Sequence, residues 1–323
     1  MPRVIYRQDL VRTPTRARSQ ARRHKEIIGI ICVECQGQPL DVEEKTPVYD
    51  DKVLRGVERR LSDLGWSLLI ASWNGKAGQN PSQIAAMPDR VDGILITIGS
   101  LPPRLVEQIA RQVPVAVIAG DPAERKVDVV TADNRAGSAA IVTHLVEDHG
   151  RRRIYHVDGP PSMPDNAQRR RGLLGVLREH PDARLVGTTH GSNYLESGLA
   201  AGQRMLAECR GEIPDTVVAA NDQMAIGVLR SLTAAGIRVP EQVAVVGFDD
   251  IYPGELCEPP LTTVHQPMGT LGERACDRLL KRIATPGLPP RVELLPTELV
   301  LRQSCGCPPG APARRPVAHS LPH

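Results

Sequence analysis

Two short apolar runs end in side chains that could hold a ligand. Thr216 to Ala220 leads into Asn221-Asp222, and Val243 to Gly247 leads into Phe248-Asp249-Asp250. An ionised Asp249 only accepts hydrogen bonds, which suits paired hydroxyls or a ring N–H, whereas Asn221 both donates and accepts. Asp249 and Asp250 are neighbours in sequence, so their carboxyls point apart rather than at one scissile bond. GxSxG, HExxH, GxGxxG and P-loop patterns are absent, so no catalytic residues are expected. Other apolar runs also end in polar tips: Gly120-Asp121 after Val113 to Ile118, and Asp133-Asn134 after Val127 to Thr131. Aromatics make up only 2% of the chain, so Trp73, at the end of the run Trp66 to Ser72, stands out as a flat surface for a ligand.

The elements that must position these groups alternate. Ile27 to Val33, Trp66 to Ser72, Val91 to Ile96, Val113 to Ile118 and Val127 to Thr131 read as buried strands. Between them lie apolar residues at helical spacing, such as Leu54, Val57, Leu61 and Leu64. The second half repeats the alternation. Strands are expected at Arg153 to Val157, Ala183 to Thr188, Thr216 to Ala220 and Val243 to Gly247, and helices at Arg169 to Glu179, Glu196 to Glu208 and Gln223 to Ala235. Such alternation specifies an α/β protein with parallel sheets wrapped by helices. In open sheets of this kind ligands bind beyond the carboxyl ends of the strands, where Asn221 and Asp249 lie.

At 323 residues the chain is long enough for two lobes, each with its own core. Its net charge of +3 is unevenly distributed. Residues 1 to 26 hold eight Arg and Lys against Asp9 and Glu26, a basic arm on a slightly acidic body. No apolar run suits a membrane span or a signal peptide, so a cytoplasmic protein without membrane partners is expected. Seven cysteines include Cys32-x-x-Cys35 and Cys305-x-Cys307. A four-thiolate centre would pair knuckles of unlike spacing, and an odd count fits reduced thiols, so neither a metal site nor any cofactor is expected.

The segments AANDQMAIG, GIRVPEQVAVVGFDD, PPLTTVHQP and LPTELVLRQS, preceded by TADNRAGSAAIVTHL, GRRRIYHVDGP and NAQRRRG, resemble the effector-binding domain of the LacI/GalR (lactose-repressor) family of transcription regulators over about residues 17 to 304. The resemblance implies a type I periplasmic-binding-protein fold, two doubly wound parallel-sheet lobes joined by three crossovers near Ala132/Asp133, His265/Gln266 and Arg291/Val292. The implied division is a basic, hinge-like arm over 1–26, a first lobe of 27–132 plus 266–291, a second lobe of 133–265 plus 292–304, and a disordered Pro-rich tail over 305–323. The family's effector-contacting positions fall on Arg169, Asn221, Asp249 and Gln266. Tyr49 stands where related proteins stack their ligand, and Trp73, Asp121 and Asn134 complete the expected set. Arg169 offers a planar fork of donors suited to vicinal hydroxyls, a carboxylate or a phosphate.

The implied function is a homodimeric repressor that binds a sugar or nucleobase-like effector between its lobes and transmits that binding to DNA. Ala17 to Gly29 has the spacing of the family's hinge segment, which makes Arg16, Arg18, Gln20, Arg22 and Arg23 the candidate DNA contacts. Two features depart from the family pattern. The 16 residues before Ala17 show no helix pair, and Gln20 stands where the family's hinge helix places a minor-groove leucine, a wedge that an amide does not replace. The alternative is therefore a small-molecule sensor, binding module or fragment without sequence-specific DNA binding of its own, with DNA expected as a partner if a headpiece exists upstream.

Overall fold

In the computed structural model, residues 25–33, 48–73, 82–97, 99–124, 126–209, 212–310 and 314–318 are described. The arm residues Arg16, Arg18, Gln20, Arg22 and Arg23 lie outside them, as does Cys35.

The first sheet is built from β1 (Ile27–Val33), β2 (Ser67–Trp73), β3 (Gly93–Thr97), β4 (Val115–Ile118) and β5 (Asp128–Ala132), with β11 (Val292–Leu295) returning late in the chain. Its order is β11-β5-β4-β3-β1-β2, and every pairing is parallel. Ile28, Ile30, Leu95 and Ile118 are wholly buried because helices cover both faces of the sheet. The helices are α1 (Val48–Asp63), α2 (Ser82–Ala85), α3 (Pro103–Ala110) and α9 (Met268–Ala284). α1 and α9 cross at glycines. A Cβ on Gly56 would collide with the backbone of Gly269, and one on Gly272 with that of Val53.

The second sheet has the order β7-β6-β8-β9, again parallel, from β6 (Arg153–Asp158), β7 (Arg184–His190), β8 (Thr216–Ala219) and β9 (Ala244–Val246). Its helices are α4 (Asn134–Thr143), α5 (Pro164–Glu179), α6 (Leu195–Glu208), α7 (Asp222–Ala234) and the short α8 (Tyr252–Glu255). In each sheet the strand order reverses at the first strand, β1 or β6, which opens a crevice at its carboxyl end. No helix among the described residues is long and apolar enough to cross a membrane.

Two expectations are corrected. Val292–Leu295 pairs with Val129–Ala132 of β5, so it belongs to the first lobe and the third crossover falls at Pro296-Thr297 rather than Arg291/Val292. Its place is fixed by the buried carboxylate of Asp128, which accepts from the Arg291 backbone N–H at 2.9 Å and from Arg278 and Arg282 at 2.5 Å each. Burial opposes that carboxylate's charge, but the two guanidiniums outweigh it and hold the Asp128 pKa below its usual value. The tail is not all irregular either. A 3₁₀ turn over Gln303–Cys305 leads on to β13 (Arg314–Pro316), which pairs antiparallel with β12 (Glu298–Val300), itself paired with β10 (Thr263–His265). Ion pairs from Arg314 to Asp250 at 2.9 Å and to Glu298 at 3.0 Å secure that strand.

Candidate functional site

Arg169 lies in the second turn of α5 with only 6% of its surface exposed. Its Nε donates to Asn134 Oδ1 at 2.8 Å and its Nη1 to the Ala220 carbonyl at 2.6 Å. Nη2 lies 3.3 Å from Asp249 Oδ1, and Cζ sits 3.8 Å above the centre of the Phe248 ring. One guanidinium thus joins the start of α4, the end of β8 and the segment after β9. A lysine could not span these partners, since only the fork presents donors in so many fixed directions.

Asp249 is held from a second side by Gln266 Nε2 at 2.5 Å, and its own N–H donates to the Val264 carbonyl. Its backbone has φ of 123°, and that of Asp250 has φ of 57°, both rare for residues with a Cβ. The two carboxyls diverge, as their adjacency requires. Asp250 turns away to His265, Arg302 and Arg314; burial opposes its charge, but the hydrogen bonds and charges of His265 and Arg302 overcome it and push the pKa well down. Asp249 stays in the cleft, where burial outweighs the Arg169 charge and raises its pKa.

Tyr49, in the first turn of α1, reaches this group from the other lobe. Burial drives its phenol pKa well up, the charges of Asp165, Asp50 and Asp249 add to the shift, and Arg169 opposes it. Asp165, near the start of α5, completes the group and was not anticipated from sequence. Burial pushes its carboxyl to about 7, against the pull of Arg169 and with Asp249 adding to the rise. Asp50, on α1, is raised to about 6 by burial.

Several polar atoms around this group are buried and find no hydrogen-bond partner among the described residues: Tyr49 Oη, Thr131 Oγ1, Asp165 Oδ1 and Gln266 Oε1. Buried polar atoms are normally paired, and each orphan costs on the order of 1–3 kcal/mol. Such a set between two lobes is the complement of a ligand rich in donors and acceptors.

Of the residues expected from sequence, Arg169, Asn134, Asp249, Gln266 and Tyr49 converge here. Asn221 lies beside them, but its side chain is committed. Its Oδ1 caps α7 through the Met224 N–H at 3.0 Å, and its Nδ2 donates to the Asn193 carbonyl at 2.9 Å. Trp73 and Asp121 do not join the group among the described residues. Trp73 packs against the hydrophobic cluster of the first sheet, and exposed Asp121 uses its carboxylate to close a turn on the Ala123 N–H.

The sheets, crossovers and interlobe cleft define a periplasmic-binding-protein-like, two-lobed ligand-binding protein. The family model of the periplasmic binding protein-like domain matches residues 142–305. Among curated proteins, the chain is 33% identical over 307 residues to the HTH-type transcriptional regulator CelR of Thermobifida fusca, spanning 92% of this chain and 86% of that one. It is 33% identical over 258 residues to the ribose operon repressor of Escherichia coli K12, covering 77% of this chain and 76% of the repressor. Among solved structures, a transcriptional regulator CelR–cellobiose complex superposes with a TM-score of 0.75 at 29% identity, over 87% of this chain and 85% of that one. The chain belongs to the LacI family of ligand-responsive transcriptional regulators, and these relatives are regulators rather than enzymes.

Proposed function

We propose that the effector is a polyhydroxylated, sugar-like molecule held between Tyr49 and Asp50 of the first lobe and Asp165, Arg169 and Asp249 of the second, with Gln266 at the crossover. The carrying observation is the set of buried, unpartnered oxygens at Tyr49, Thr131, Asp165 and Gln266 beside one guanidinium. The set holds two hydroxyls, one carboxyl oxygen and one amide oxygen, and such a mixture of donors and acceptors pairs well with a ligand bearing several hydroxyls, which both donate and accept. A nucleobase prefers two flat faces, and Tyr49 supplies one, whereas the Phe248 ring is already covered by Arg169. The relatives named for a ribose operon and solved with cellobiose agree with a sugar. Such a ligand bridges the lobes and so favours one lobe arrangement, which is how it would alter DNA binding by a homodimer acting in the cytoplasm.

A thermal-shift screen of pentoses, hexoses, disaccharides and nucleobases tests this reading. At a hundredfold excess over Kd a ligand stabilises by about 2.7 kcal/mol. Asp249→Ala and Arg169→Ala should abolish the shift, and unchanged shifts in both would remove the site assignment. A response to nucleobases alone would overturn the sugar reading.

The replacement of a wedge leucine by Gln20 favours a second reading, a sensor without its own operator specificity. Competition of labelled DNA by unrelated duplexes at equal concentration would support it, whereas a preference of about a thousandfold or more for one sequence would exclude it.

A further inference from the structure

At the end of α4 the helix widens into a π-helical turn over His144–Asp148. Five-residue spacing on that wider turn brings His149 onto the face of His144, with the two Nε2 atoms 3.1 Å apart and the rings edge-on at 88°. From the other end of the chain, the 3₁₀ turn over Gln303–Cys305 runs into Gly306, whose φ of 111° folds the backbone so that Cys307 returns beside Cys305. Cys305 Sγ lies 3.6 Å from His144 Nε2, and Cys307 Sγ lies 3.5 Å from His144 Nε2 and 3.4 Å from His149 Nε2. One ligand atom from each of the four residues lies within 4.8 Å of all the others.

The four separations from the two Nε2 atoms to each other and to their neighbouring sulfurs match edges of a metal tetrahedron. With Zn–S near 2.3 Å and Zn–N near 2.05 Å, tetrahedral angles place N and S roughly 3.5–3.6 Å apart and the two N atoms roughly 3.3 Å apart. The imidazole tautomer is also set for it. His144 Nδ1 is bonded to the Asp148 carboxylate at 2.7 Å, which directs the proton to Nδ1 and leaves the Nε2 lone pair facing the sulfurs. Two thiolates and a divalent ion sum to zero charge, so the centre can occupy a spot where His144 and Cys305 are buried. Soft sulfur with imidazole in a closed tetrahedron selects zinc over magnesium or calcium.

We propose that His144, His149, Cys305 and Cys307 bind one Zn²⁺ in a closed, structural Cys₂His₂ site that fastens the C-terminal segment to the end of α4. The site is separate from the effector cleft. α4 starts at Asn134, beside Arg169, and ten residues of helix carry the chain roughly 15 Å away. Asp148 links the centre to the tail a second time, through Arg315 at 3.7 Å. The absence of a metal site expected from sequence is thereby revised, as is the pairing weighed there. Cys32 lies on β1 of the first sheet, opposite Ser72, and the partners of Cys305 and Cys307 are histidines whose i, i+5 spacing becomes a ligand pair only on a π turn.

The test uses the full chain purified reduced and without chelator. Elemental analysis should find about one zinc per chain, and a Cys305→Ser/Cys307→Ser variant should hold none. Chelator should lower the wild-type Tm by several degrees, restored on adding Zn²⁺, and should leave the variant's Tm unchanged. Co²⁺ added to the stripped wild type should give the intense visible bands and thiolate charge-transfer absorption of a tetrahedral site, a readout that survives if the variant does not fold. Wild type that is folded by circular dichroism, holds only trace zinc and gives no tetrahedral Co²⁺ spectrum would overturn the proposal. None of these readouts involves effector, so failure of the sugar site would leave this result unaffected.

Discussion

Asp165 contributes to the pH dependence of stability, together with Asp222 and Asp50. Its carboxyl is raised to about 7 by burial, so the folded chain holds a proton that the unfolded chain releases near 4. Stability from this group is complete below the unfolded value and is lost as pH rises through about 7. Three units or so correspond to at most about 4 kcal/mol. Effector-free protein is therefore expected to melt lower at pH 8 than at pH 5. Asp165→Asn should remove much of that slope and be more stable than wild type at pH 8, as read by melting curves across the range. Asp222, also near 7, and Asp50, near 6, retain the remainder. A variant whose slope equals that of wild type would show that Asp165 ionises normally. In sequence Asp165 looks like any acid in the first turn of a helix, and only the fold reveals that α5 points it into the cleft. Asp249 and Asn134 were legible because strand ends face the crevice. The same logic failed for Trp73 and Asp121, since a strand end can equally turn its side chain to the core or to solvent.

Among the elements, the helix pair α1 and α9 is set by glycine. Backbone of one helix fills the space where a Cβ on Gly56 would go, so Gly56→Ala forces the axes apart and should cost about 1–3 kcal/mol. Tyr49 rides on α1, so the effector response should weaken with it. Gly175 on α5 is the control, because a Cβ there meets nothing within 4 Å. Gly175→Ala should stabilise by up to about 1 kcal/mol through helix propensity alone. Denaturant titrations of both variants distinguish close approach from propensity, and equal effects would dismiss the packing argument. The helices and central strands could be read from sequence because their apolar periods are local. β11 could not, since its partner β5 is far away in the chain and its four residues are only partly apolar. The π turn at His144 leaves no trace in periodicity, and β13 is a proline-flanked strand that pairs at an edge, where proline is tolerated.

At the scale of the whole molecule, we propose that charge and lobe closure act together through the basic arm. The arm over residues 1–26 carries eight Arg and Lys and continues directly into β1, the strand at the first sheet's switch point. If Arg16, Arg18, Arg22 and Arg23 each neutralise one phosphate, the logarithm of DNA affinity should fall with the logarithm of salt at a slope of about −3.6. That slope amounts to a loss of roughly 150-fold between 50 and 200 mM salt. Arg22→Ala/Arg23→Ala should reduce the slope by about 1.8, measured by fluorescence anisotropy on labelled duplex over that range. A slope unchanged by the double substitution would move the phosphate contacts elsewhere. The same assay tests coupling. An effector that changes DNA affinity by some factor must itself bind DNA-loaded protein with affinity changed by that factor, because the two equilibria close a cycle. Interlobe closure that reaches the arm should shift the intercept of the salt plot and leave its slope alone, since the effector touches no phosphate. A change of slope on adding effector would instead mean that closure withdraws arm residues from the duplex, and the number withdrawn could be read from the difference.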